Sequence, residues 1–153
     1  MSRRYGQVPL NLWRHPAFKA LSDQGKVAVL FFWSGPHSTS AGVGLVPDGY
    51  AVADLGWNET QWQAARLEAE KAGFVKRDDA TETVLVQNYL ACNRPVNVRH
   101  RAAIVNQILS IDCPELRQIA ECALAEVEKP QLPAPKVSPL LNSGYLNGGK
   151  PPR

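Results

Sequence analysis

Between Glu59 and Ala64 the chain gathers side chains that can read base edges. Gln61 and Gln63 can pair bidentately with adenine, and Glu59 can accept from the amino group of cytosine. Thr60 and Ala64 can touch a thymine methyl. Such a set needs a helix to carry it into a major groove and cations nearby to neutralise phosphates. The run itself is short of positive charge, because Arg66 and Lys71 are outnumbered by Glu59, Glu68 and Glu70. Phosphate contacts therefore fall to Lys76 and Arg77, to the cluster Arg94, Arg99 and Arg101, and to the N-terminal segment. There Arg3, Arg4, Arg14, Lys19 and Lys26 stand against Asp23 alone. Asp78, Asp79 and Glu82 form an acidic tip between the basic stretches, which argues against that tip lying on phosphates.

Other chemistries find less support. With 17 Lys and Arg against 14 Asp and Glu, a net +3, the chain is no polycation, and only the distribution of charge points to an anionic partner. Cys92, Cys113 and Cys122 are odd in number and without a close pair, which argues against a disulfide framework or a thiolate zinc site. His15, His37 and His100 are scattered, so no metal site is expected. No Gly-rich phosphate loop and no nucleophile motif occurs, so neither an enzyme nor a cofactor is expected. Asp54, Glu59 and His37 are accounted for as turn and cap residues. No apolar run approaches the ~18 residues of a membrane span. The start, Met-Ser-Arg-Arg-Tyr-Gly-Gln, lacks the apolar stretch of a secretory signal, so a cytoplasmic location is expected.

The elements that must position the base-reading set are legible around it. Asn58 is a good N-cap, and Glu59 suits the helix dipole in the first turn. Gly73 sits where a left-handed C-terminal residue is wanted, so a helix over 59–72 is predicted. A shorter helix, 49–55, ends at Gly56. Phe74–Arg77 and Thr83–Gln87 alternate as a hairpin around Asp78–Glu82. Two helices joined by a tight glycine turn and followed by a hairpin make a winged helix-turn-helix, which most often presents its second helix to DNA.

The remaining chain supplies packing. Ser22 caps a helix over 23–33, with Val27, Leu30 and Phe31 on one stripe and Val29 and Phe32 alongside; apolar over more than half its surface, it is expected to be the central, most buried helix. Val43–Val46 is a short strand candidate. Trp13, Phe31, Leu55, Trp62 and Phe74 are expected to be buried together. On the long helix Trp62, Ala65, Ala69 and Ala72 form the inner face, leaving Leu67 outside. Asn97 caps a helix carrying Val98, Ala102, Val105, Ile108 and Leu109. Pro114 opens another, carrying Leu116, Ile119, Ala120, Ala123, Leu124 and Val127. The chain thus divides into a winged-helix domain over 1–90, a helical hairpin over 91–128 packed on it or on a partner, and a Pro- and Gly-rich flexible tail over 129–153. The fold class is mostly α with a small β hairpin.

Several runs carry a family resemblance over about residues 5–128. They are Trp13 with Phe18 and Leu21-Ser22, Ser34-Gly35-Pro36-His37, Val46-Pro47-Asp48-Gly49-Tyr50-Ala51 and Asp54-Leu55-Gly56-Trp57. Ala72-Gly73-Phe74-Val75, Val84 through Leu90, and Asn93-Arg94-Pro95-Val96-Asn97 complete the set. In these the chain resembles the N-terminal winged-helix domain of phage and prophage replication-initiation proteins. The resemblance implies binding of double-stranded DNA in replication initiation or its regulation. Many such proteins carry a longer C-terminal region that recruits a helicase or its loader, whereas this chain has a Pro-rich tail there.

The same scaffold also serves as a protein-docking module. On that reading Leu67, the acidic tip and apolar tail residues would meet a host or phage protein, or the C-terminal helices would pair two copies as a homodimer.

Overall fold

The computed structural model describes residues 5–130. After a 3-10 turn at Leu10–Arg14 come α1 (Pro16–Lys19), α2 (Asp23–Ser34), β1 (Val43–Leu45), α3 (Asp48–Leu55) and α4 (Glu59–Lys71). The hairpin strands β2 (Val75–Asp78) and β3 (Thr83–Val86) follow, then α5 (Tyr89–Cys92), α6 (Val98–Leu109) and α7 (Pro114–Glu128). The protein is mostly helical with one three-stranded antiparallel sheet in the order β1-β3-β2. The expected tail, from residue 131 on, lies outside the described residues.

Local chemistry sets the helix ends. The Ser22 hydroxyl accepts from the Gly25 amide at 3.0 Å. Asn58 accepts from the Gln61 amide at 2.8 Å while the Gln61 side-chain oxygen accepts from the Asn58 amide at 3.1 Å. This reciprocal box satisfies two amides that the first turn of α4 leaves open. Gly56 (φ +66) and Gly73 (φ +82) take the left-handed conformation that ends α3 and turns the chain after α4. Asn97 caps α6 by accepting from the His100 amide at 2.8 Å.

The sheet separates two apolar cores. Alternation along β3 sends Val84 and Val86 into the first core, with Trp62, Ala65 and Ala69 of α4 and Val29 and Phe32 of α2. It sends Leu85 into the second, with Ile104 and Ile108 of α6 and Leu116, Ala120 and Leu124 of α7. All four residues of β3 are buried as a result. The α6–α7 pair packs on the sheet of its own chain, α6 against β1 and α7 against β3.

Three packing expectations are corrected. Trp13 is 56% exposed, its ring set edge-on against Phe18 from outside the core, while Phe31, Leu55 and Phe74 are half-buried at its margin. In α2 the buried face is Ala28, Val29, Phe32 and Trp33, and Val27 points outward. In α6 Ile104 and Ile108 are buried, whereas Val98 and Leu109 are exposed. The inner face of α4 is as expected at Trp62, Ala65 and Ala69, and Leu67 faces outward.

Candidate nucleic-acid interface

The outward face of α4 begins at its capped N-terminus. Glu59, Thr60, Gln63 and Ala64 are exposed there, and Leu67 continues the face one turn on. Trp62 and Ala65, on the opposite side, fix the rotation of the helix by burial. The α6–α7 pair lies behind the sheet, in the core that α4 does not enter, so it leaves this face open. Gln61 is held differently from its neighbours: its side-chain oxygen is committed to the Asn58 amide, which binds it to the cap.

Three of the cations expected to meet phosphates are paired with carboxylates of the chain. The register pairs Arg77 with Val84, so alternation turns Arg77 toward the first core and α3. Its side chain is only 5% exposed and donates to Asp48 at 2.7 Å, with Asp79 at 3.3 Å and Glu82 at 3.8 Å. Lys76, one residue earlier, pairs with Leu85 in register and lies on the other face, where it donates to Glu115 of α7. Arg101 makes a two-pronged contact with Glu128. That contact holds the Glu128 carboxyl below its ordinary range. Arg77, Lys76 and Arg101 thus each meet a carboxylate of the same chain, and of the three only the Arg77 side chain is buried. Arg94 and Arg99 are exposed.

A carboxylate centre links the three elements around the outward face of α4. Asp48, in the first turn of α3, accepts from the Trp62 indole at 2.6 Å and from Arg77, with Arg66 of α4 at 3.2 Å. Burial alone raises its pKa. The hydrogen bonds from Trp62 and Arg77 and the two guanidinium charges outweigh this and hold it below the ordinary carboxylate value. Arg66 also donates to Glu70 at 2.6 Å. Asp48, Arg66 and Arg77 together therefore clamp α3, α4 and the hairpin. In the sequence Asp48 is legible only as an acidic residue suited to a helix start. Its partners lie 14 to 29 residues away, and no local spacing pairs them.

A second contact has no signal in the sequence. His37 Nε2 lies 2.8 Å from Asp54 Oδ2, and its ring stacks on Tyr50 at 4.9 Å. It ties the 34–42 loop to the outer side of α3. Among the described residues no group of three or more His, Cys, Asp or Glu is placed to hold a metal ion. No described helix is long and apolar enough to cross a membrane.

No family model matches the chain, and neither does a curated protein or a solved structure.

Proposed function

We propose that this protein is a non-enzymatic winged helix-turn-helix that binds double-stranded DNA, with α4 as its reading helix. The observation that carries the reading is the open outward face of α4. Thr60, Gln63 and Ala64 stand exposed beside the capped helix N-terminus, clear of both cores. These side chains suit base edges in a major groove. The clamp at Asp48 supports the reading, because a reading helix must be held rigidly against the element before it and the hairpin after it. The family resemblance supports a role in phage-type replication initiation or its regulation.

Anisotropy titrations against a duplex mixture at several salt concentrations test this. Affinity should fall linearly with salt on a logarithmic plot. Absence of binding at low salt would sink the proposal.

A second reading, a protein-docking module, draws on a different observation. Lys76, Arg77 and Arg101 are occupied by carboxylates of the same chain, while Leu67 is 43% exposed on the outward face of α4. Leu67→Lys separates the two. It abolishes an apolar contact with a protein partner, whereas on DNA an added cation on this face strengthens binding.

A further inference from the structure

Helix α6 carries two apolar stripes, and the fold buries one. Ile104 and Ile108 enter the second core. The Gln107 side chain, which accepts from the Ala41 amide at 3.0 Å, holds the same rotation. The other stripe is Val98, Ala102, Val105 and Leu109, at intervals of four, three and four residues. That rotation leaves it at the surface: Val98 is 85% and Leu109 57% exposed, Ala102 is exposed and Val105 half-buried. Alternating intervals of four and three are the seam that a second helix fills, and not a strand or a base edge. The charges of α6 also run against its own dipole. Arg99 stands in a first turn that holds no acidic residue, and the exposed Asp112 lies just past the C-terminal end.

We infer that two copies of this protein pair through this stripe, α6 against α6, antiparallel about a two-fold axis. A second copy fits because the stripe and its charges are complementary to themselves in that direction. With the axis between residues 103 and 104, Val98 of one copy meets Leu109 of the other, and Ala102 meets Val105. The small Ala102 at the centre lets the helices approach, and the bulkier pairs close the ends. The same direction brings Arg99 within a turn of Asp112 of the other copy and sets the two helix dipoles against each other. A parallel pair would instead oppose Arg99 to Arg99. The inference is independent of the DNA-binding reading. Helix α6 lies behind the sheet, in the core that α4 does not enter, so the pairing leaves α4 uncovered in both copies.

Sedimentation equilibrium of the full chain, without DNA and over roughly 1–500 μM, tests it. A single stripe on each side makes an interface below the standard size, so the parent should show a reversible monomer–dimer equilibrium in the micromolar range. Val98→Lys combined with Leu109→Lys should raise the dissociation constant at least about tenfold, and Ala102→Glu should do the same. Circular dichroism should stay that of the parent in both, because all three positions are exposed. Arg99→Asp alone and Asp112→Arg alone should each weaken the pairing, and the two together should restore it, a rescue that a parallel order cannot produce. A parent that stays monomeric throughout, or a dimer that survives the lysine substitutions, overturns the inference. A dimer indifferent to the charge exchange overturns the antiparallel order.

Discussion

Trp62 and Asp48 meet at 2.6 Å, the indole N–H of α4 donating to the carboxylate that opens α3. The largest fully buried side chain among the described residues is thereby anchored at its polar end by a partly exposed charge. Its rings pack against Phe31 and Phe32 of α2. One residue thus sets the spacing of α2, α3 and α4.

Trp62→Ala should therefore destabilise the fold by ~3–5 kcal/mol through cavity formation. Trp62→Phe keeps most of the packing and removes the donor to Asp48, at a cost of about 1.5–3 kcal/mol for a hydrogen bond to a charged group. Urea unfolding measures both. Equal losses in the two variants would show that the hydrogen bond, and not the volume, dominates.

Asp48 makes stability depend on pH in a defined direction. Its folded-state pKa is depressed, so its contribution is fully present above the ordinary carboxylate value of 3.8 and is lost as pH falls through the folded value. Asp48→Asn should be less stable than the parent at neutral pH, and the gap should close in strong acid. A gap independent of pH would assign the effect to shape alone.

Arg77 is buried against that same carboxylate, so its removal is a matter of stability. Arg77→Met should cost about 1.5–3 kcal/mol, the scale of a charge-assisted hydrogen bond. Arg77→Lys should recover only part of it, because an ammonium cannot span Asp48 and Asp79 as the guanidinium fork does. Thermal melts of the two variants provide the comparison.

The two glutamines of α4 should separate cleanly. Gln63→Ala should leave the melting temperature unchanged and weaken a preferred duplex by ~1–3 kcal/mol more than random DNA. Gln61→Ala removes one arm of the capping box and should lower stability by about 0.5–1.5 kcal/mol, the scale of a single hydrogen bond. If Gln63→Ala binds every duplex like the parent, α4 is not a reading helix.

A fifth expectation concerns Gly42, just before β1. It has φ +70, and a Cβ there would lie 2.4 Å from Cγ of Tyr89. Gly42→Ala should cost at least about 1–3 kcal/mol, the scale of a strained backbone, read from chemical denaturation. A neutral result would mean that α5 can shift away from the sheet.

What the sequence discloses and what it conceals divide along physical lines. Caps at Ser22, Asn58 and Asn97 and stops at Gly56 and Gly73 are local signals, and each bounds its helix where expected. The buried face of α2 is not legible, because Val27 to Trp33 is apolar nearly all round and periodicity cannot choose a side. Trp13 misleads because a large aromatic ring suggests core, whereas here it covers the edge of Phe18. Within the candidate site the outward residues of α4 follow from the rotation set by Trp62. The fate of Arg77, Lys76 and Arg101 does not, since each partner is 27 to 39 residues distant in the chain.

The double burial of β3 bears on how the chain is made. A nascent polypeptide that has emerged as far as Leu90 can close the first core, since its buried members end at Tyr89. Leu85 and Val43 then line the back of a finished sheet with nothing over them until α6 and α7 emerge from the ribosome. For that interval the protein displays an apolar sheet face, a target for chaperones and for a neighbouring nascent copy on the same message. The exposure lasts until α7 is complete, since the second core takes its last buried member from Leu124.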